Sequence, residues 1–310
     1  MTKLKSRHIL GISHLSKDEI GFILDTAESL KEILDRPIKK VPPLRGKTIV
    51  NLFFEPSTRT KLSFELAAKR LSADTVGISA STSSVVKGET LIDTAKNIQA
   101  MKPDIIVIRH SMSGVPHLLA KHIDAAVINA GDGINEHPSQ ALLDLFSVRE
   151  HFGHIEGLRV TIIGDIAHSR VAHSDIMAFK KMGADVTVCG PATMIPPFVE
   201  EYGCSLELNL KKAIKEADVV IALRIQKERQ GRSLIPSGRE YARVFGLTTE
   251  AVSFMKEDAI IMHPGPINRG IEMAPEVADS DRSIILDQVT NGVAVRMALF
   301  TLLLADVKEA

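Results

Sequence analysis

The sequence predicts an α/β protein of two domains, each a parallel β-sheet flanked by helices. Three observations carry that prediction. Short runs rich in Val, Ile and Leu alternate along the chain with segments whose apolar residues recur at helical spacing. The strand-like runs are apolar throughout, as strands buried on both faces beneath crossover helices are. At 310 residues the chain is long enough for about two domains of ordinary size.

In the first half, Ser16 and Glu19 form a capping-box pattern, and Ile20, Ile23, Leu24, Ala27, Leu30 and Leu34 follow on one helical face. A helix over 16–35 results, ended by Pro37, Pro42 and Pro43. A strand over 47–54 stops at Pro56, because proline cannot donate to a sheet ladder. A helix over 60–71 and a short strand over 75–78 follow, then a Ser-rich loop over 79–84 of the exposed, mobile kind. Helical periodicity resumes through Leu91, Ile92, Ala95 and Ile98. Strands over 105–108 and 125–128 enclose another short helix, and an amphipathic helix over 141–152 bridges the two halves. The second half repeats the rhythm with strands over 160–163, 186–188, 219–223 and 259–262, and helices over 169–182, 195–202 and 211–216. A long polar loop spans 224–238, and a helix over 288–307 closes the chain. Periodicity leaves open whether that helix packs on the second domain or returns to the first.

Composition narrows the function. A hydrophobic fraction of 45% with 25% charged residues is ordinary for a globular protein. Net charge is zero, so no global basic field attracts nucleic acid or anionic membrane, and any anion site must be a local gathering of cations. No apolar run approaches the ~20 residues of a membrane span. The basic start, Met1 to His8, is not followed by a signal-peptide core. Cys189 and Cys204 make neither a disulfide framework nor a zinc site, and the absence of Trp argues against base-stacking platforms. The expectation is a cytoplasmic protein that uses no cysteine-ligated metal.

Ligands of open α/β sheets bind beyond the carboxyl ends of the strands. The first strand ends in Ser57, Thr58, Arg59 and Thr60, hydroxyls and a guanidinium set just before a helix. Free first-turn amides and the positive end of the helix dipole make such a turn an anion site, although Ser57 as a plain helix cap is the simpler alternative. Lys87 follows the second strand, Arg109 the third, and Arg170 and Arg224, with Gln226, lie at strand ends of the second half. Five cations in one topological position are hard to ascribe to chance. In His137-Pro138-Ser139-Gln140 the proline suits the first helical position, which puts His137 at the cap and Gln140 beside it. An imidazole there can donate to a developing oxyanion, or merely cap the helix. His263-Pro264-Gly265-Pro266 is a proline-bounded turn that offers carbonyls to an amine and has the option of a cis peptide, or is purely structural. Gly164-Asp165 occupies the place of a dinucleotide fingerprint without its glycine spacing. No nucleophile paired with a base, and no metal-ligand spacing, stands out. The residues therefore describe an enzyme that joins a phosphate-bearing substrate to a second anion in a cleft between two domains, by direct transfer with electrostatic stabilisation.

The runs 53–60, 83–90, Arg109-His110 and 137–140 resemble the carbamoyl-phosphate motifs of the carbamoyltransferases. The runs 224–229 and 263–266 resemble the aspartate branch of that family, since the ornithine branch carries a cysteine in a His-Cys-Leu-Pro motif where this chain has His-Pro-Gly-Pro. The resemblance covers essentially the whole chain. It implies transfer of the carbamoyl group of carbamoyl phosphate to L-aspartate, the committed step of pyrimidine synthesis, with no cofactor and no metal. It implies that Ser57, Thr58, Arg59 and Thr60 hold the phosphate, with Arg59 screening the leaving group. Ser83 and Lys87 are then supplied by the neighbouring subunit of a homotrimer with shared sites. Thr60, Arg109 and His137 face the oxyanion, while Gln140 and the Pro264–Gly265 turn hold the carbamoyl amide. Lys87, Arg170, Arg224 and Gln226 bind aspartate. The implied domains are 1–140, completed by a returning C-terminal helix 289–310, and 141–288. Gly265 stands where some relatives carry a larger apolar residue. The 263–272 pattern resembles a subgroup whose catalytic chains associate with dihydroorotase or a dihydroorotase-like chain. Two rivals remain: a carbamoyltransferase for another amine such as ornithine, which would want acidic residues at Arg170 and Arg224, and a non-catalytic nucleotide-binding α/β protein.

Overall fold

Among the described residues all pairing between strands is parallel, in one sheet of four strands and another of five. The computed structural model describes residues 4–79, 89–225 and 234–304. Its contacts divide into two units, Met1–Phe146 with Val289–Ala310, and Ser147–Gln288.

The first unit opens with α1 (Lys17–Lys31), where the predicted capping box is complete. Ser16 Oγ accepts from Glu19 N at 3.2 Å, and the Glu19 carboxylate accepts from Ser16 N at 2.9 Å. Two amides that a bare helix start leaves without acceptors are thereby satisfied. A 3-10 turn, Glu32–Asp35, ends this helix ahead of Pro37. There follow β1 (Thr48–Phe53), α2 (Thr58–Arg70), β2 (Asp74–Ser79), α3 (Leu91–Ala100), β3 (Ile105–His110), α4 (Val115–Ala120), β4 (Ala126–Asp132) and α5 (Pro138–Phe152). The sheet order is β2-β1-β3-β4. Ile9 extends it beyond β4 by pairing with Ile128. Val50, Leu52, Ile106, Ile108 and Val127 pack beneath Ala95, Ile98 and Leu119 to form one face of the core.

The second unit contains β5 (Arg159–Ile163), α6 (Arg170–Lys181), β6 (Asp185–Cys189), β7 (Ser205–Leu206), α7 (Leu210–Lys215), β8 (Val219–Ala222), α8 (Gly238–Phe245), α9 (Thr249–Val252), β9 (Ile260–Met262) and α10 (Pro275–Ala278). Its strand order is β7-β6-β5-β8-β9. The last helix, α11 (Ile285–Leu304), rejoins the first unit from Val289 onward. There Phe300 meets Phe64 of α2 with ring centroids 5.8 Å apart, and Arg296 Nη1 donates to Ser63 Oγ at 3.0 Å. Tertiary contact thus decides what periodicity left open.

The helix expected over 195–202 does not form. Two 3-10 turns, Ala192–Met194 and Val199–Tyr202, stand in its place. Pro196 and Pro197 lie between them; each lacks an N–H and blocks the carbonyl a turn earlier. β7, α8, α9 and α10 went unread because each is too short to show a period. No helix among the described residues is long and apolar enough to cross a membrane.

Candidate active site

In the first sheet the chain order reverses between β1 and β3, the point at which parallel sheets open a crevice for ligands. Ser57-Thr58-Arg59-Thr60 lies directly beyond β1. Ser57 has extended backbone (φ −163°, ψ 95°) and its hydroxyl makes no capping bond, so the plain-cap alternative fails. The first-turn amides of α2 have no acceptor inside the helix, and the dipole adds partial positive charge. Thr58 and Arg59 are exposed, and Ser57 and Thr60 half-buried. Hydroxyls, amides and a guanidinium therefore converge on one accessible helix start.

Pairing of β1 with β3 brings Arg109 alongside, in register with Phe53. Its guanidinium is 3.0 Å from Glu55 Oε1 and donates to Ala130 O at 3.3 Å, which turns the fork along the strand ends. Burial lowers the pKa of neighbouring His110, against the opposing charges of Glu55 and Asp132.

His137 arrives by a turn that is pinned from several sides. Asp132 accepts from Gly114 N at 2.7 Å, Asn129 Nδ2 at 2.8 Å and Glu136 N at 3.1 Å. Glu136 in turn accepts from Ile12 N at 2.6 Å and Ser13 Oγ at 3.1 Å, tying the turn to the N-terminal segment. α5 starts at Pro138, so His137 does occupy the cap position, with Ser139 Oγ 3.4 Å from its Nδ1. His137 and Gln140 are both buried, and Gln140 Nε2 donates to Asp144 at 3.1 Å.

The second sheet reverses between β5 and β8. Arg170, buried, opens α6 beyond β5 behind the N-cap Ser169, and half-buried Arg224 lies just beyond β8. Pro264 and Gly265 follow β9, the neighbour of β8. Gly265 adopts φ +65°, a left-handed backbone that favours glycine, and the Gly265–Pro266 peptide is cis. His263 is an anchor for this turn rather than a surface group. Its Nδ1 accepts from Gly265 N at 2.7 Å, its own N donates to Gln288 Oε1 at 2.9 Å, and its Nε2 lies 3.3 Å from the buried Glu272.

The structure thus gathers Ser57, Thr58, Arg59, Thr60, Arg109, His137 and Gln140 in one unit and Arg170, Arg224, Pro264 and Gly265 in the other. Ser83, Lys87 and Gln226 fall outside the described residues. Sequence reasoning passed over Glu55, Asp132, Glu136, Asp144, Glu272 and Arg296. The available signal was a charge inside a buried apolar run, as in Val295-Arg296-Met297. Among the described residues no group of three or more His, Cys, Asp or Glu is arranged to hold a metal. Burial, with Glu207 nearby, pushes the Cys189 thiol up to about 12, which leaves it inert as a nucleophile near neutral pH.

Two parallel α/β units with arginine at each switch point define a class, an enzyme that handles two small anions. Profiles of the aspartate/ornithine carbamoyltransferases match nearly the whole chain, the carbamoyl-P binding domain over residues 7–150 and the Asp/Orn binding domain over 156–303. The chain belongs to the aspartate/ornithine carbamoyltransferase family. It is 60% identical over 308 residues to the aspartate carbamoyltransferase catalytic subunit of Desulforapulum autotrophicum, covering 99% of both chains. Against the subunit of the same name from Syntrophotalea carbinolica it is 62% identical, covering 96% of this chain and 95% of that one. The Trypanosoma cruzi aspartate transcarbamoylase bound to N-(phosphonacetyl)-L-aspartic acid superposes with a TM-score of 0.88 at 28% identity, covering 96% of this chain and 95% of that one. Ornithine carbamoyltransferase from Pyrococcus furiosus superposes nearly as well, with a TM-score of 0.86 at 31% identity over 99% of this chain and all of that one. The fold therefore does not separate the two branches of the family; the residues at the second switch point must.

Proposed function

We propose that the protein is an aspartate carbamoyltransferase, forming N-carbamoyl-L-aspartate and phosphate from carbamoyl phosphate and L-aspartate. The observation that carries the choice of amine is the pair Arg170 and Arg224, set beyond adjacent strands at the second switch point. Two guanidinium forks suit the two carboxylates of aspartate and repel the cationic side chain of ornithine. The names of the relatives at about 60% identity agree.

In this reading Ser57, Thr58, Arg59 and Thr60 hold the phosphate. The neutral amine of aspartate attacks the carbonyl carbon while Thr60, Arg109 and His137 donate to the oxygen that takes up negative charge. Gln140 and the Pro264–Gly265 carbonyls accept from the carbamoyl NH2 group. The C–O bond to phosphate then breaks, Arg59 neutralises the charge gathering on the leaving group, and the amine proton passes to the departing phosphate. The first unit serves as the carbamoyl-phosphate domain and the second as the aspartate domain.

The enzyme works in the cytoplasm as a homotrimer, with Ser83 and Lys87 reaching the site of a neighbouring copy and Lys87 also meeting aspartate beside Gln226. The 263–272 pattern supports a larger assembly with dihydroorotase or a dihydroorotase-like chain.

A colorimetric carbamoyl-amino-acid assay with aspartate and ornithine in parallel tests the reaction. Turnover with aspartate is expected, and turnover with ornithine alone would refute the reading. For the shared site, inactive Lys87→Ala and Arg59→Ala subunits are mixed and allowed to reassemble. Activity should return, because mixed trimers contain sites with both residues intact. Mixed trimers that form and stay inactive would place each site within one chain.

A further inference from the structure

Gln140 has a carboxylate behind it. Its Nε2 donates to both oxygens of Asp144, at 3.1 and 3.3 Å, one helical turn along α5. Asp144 is completely enclosed, and an enclosed carboxylate stays ionised only if something compensates its charge. The buried guanidinium of Arg296, on α11, feels that charge. The guanidinium is itself buried, donates to Ser63 Oγ at 3.0 Å and stacks over the Phe64 ring at 4.9 Å. Burial pushes its pKa down to about 10, and Asp144 opposes that shift, so it remains a cation at neutral pH. Gly292, one turn earlier on α11, has no Cβ where the Arg296 side chain passes.

We infer that Asp144 makes the site select a carbamoyl group over an acetyl group of the same shape, by dictating which end of the Gln140 amide faces the substrate. The inference rests on the assignment of Gln140 to the carbamoyl amide. A glutamine amide turned by half a rotation fills the same space but exchanges a donor for an acceptor. A carboxylate can only accept, so it compels the NH2 end toward itself and leaves Oε1 as the end turned away. Oε1 can only accept in its turn, so it matches the NH2 of carbamoyl phosphate and gains nothing from the methyl of acetyl phosphate. Asp144 touches no substrate; it is a positioning residue. Arg296 is one step further back, and through Ser63 it ties this selection to the helix that carries Arg59 and Thr60.

The test compares the KM for carbamoyl phosphate with the inhibition constant of acetyl phosphate, in the wild type and in Asp144→Asn. An asparagine at 144 presents an NH2 as readily as an oxygen, so Gln140 is free to turn. The KM should rise about twofold, the factor for a binding-competent orientation that is half populated, while the acetyl phosphate constant stays unchanged. General loosening of the site would raise both together, and that result, or no change in either, overturns the inference. If the buried charge on Arg296 prevents Asp144→Asn from folding, Asp144→Asn with Arg296→Met removes it and the same ratio is read. A wild type that fails to turn over carbamoyl phosphate with aspartate would refute the proposed function. A wild type that succeeds, with an unchanged ratio in the variant, refutes only the role of Asp144.

Discussion

Arg59→Ala should lower kcat about a thousandfold or more, since in the proposed reaction it deletes a charged donor to the leaving group. The side chain is exposed at the start of α2, so its truncation opens no cavity. Ser57 contributes no capping bond that the loss could disturb. In the proposed reaction, what disappears is a planar cation facing an oxygen whose charge grows as the C–O bond breaks, an interaction worth more in the transition state than in the ground state. The fall should therefore appear in kcat and not only in KM. Arg59→Lys keeps the charge without the fork and should fall between the two. Steady-state rates of carbamoyl-aspartate formation at saturating substrates measure the effect, and a near-normal kcat in the folded alanine variant would remove Arg59 from the mechanism.

Arg296→Met should cost about 1–3 kcal/mol of stability, the usual penalty for removing a buried polar contact. The guanidinium is buried, and its hydrogen bond to Ser63 Oγ and its stacking over Phe64 are both lost. Urea unfolding of the wild type and the variant measures this. A variant as stable as the wild type would mean that water replaces the guanidinium at Ser63.

Much of this protein is legible in its sequence, for physical reasons. Apolar runs flanked by helical periodicity specify buried parallel strands, and proline and glycine fix where they stop. Because ligands of such sheets gather beyond the strand ends, reading the residues after each strand was enough to find Arg59, Arg109, Arg170 and Arg224. Short elements such as β7 and α9 escaped because they are briefer than any period, and residues 195–202 misled because their apolar spacing competes with two adjacent prolines.

The sequence by itself determined the fold class, the hydroxyl-rich turn at Ser57–Thr60 and the residue types at each strand end, because all of these are encoded within a few neighbouring residues. Only the tertiary structure decided that Ser57 does not cap its helix, that α11 rejoins the first unit, and that Arg296 of α11 reaches Ser63 of α2. Those contacts join residues far apart in the chain, where local spacing carries no signal. They come about because a buried charge must find its partner wherever the fold brings one near.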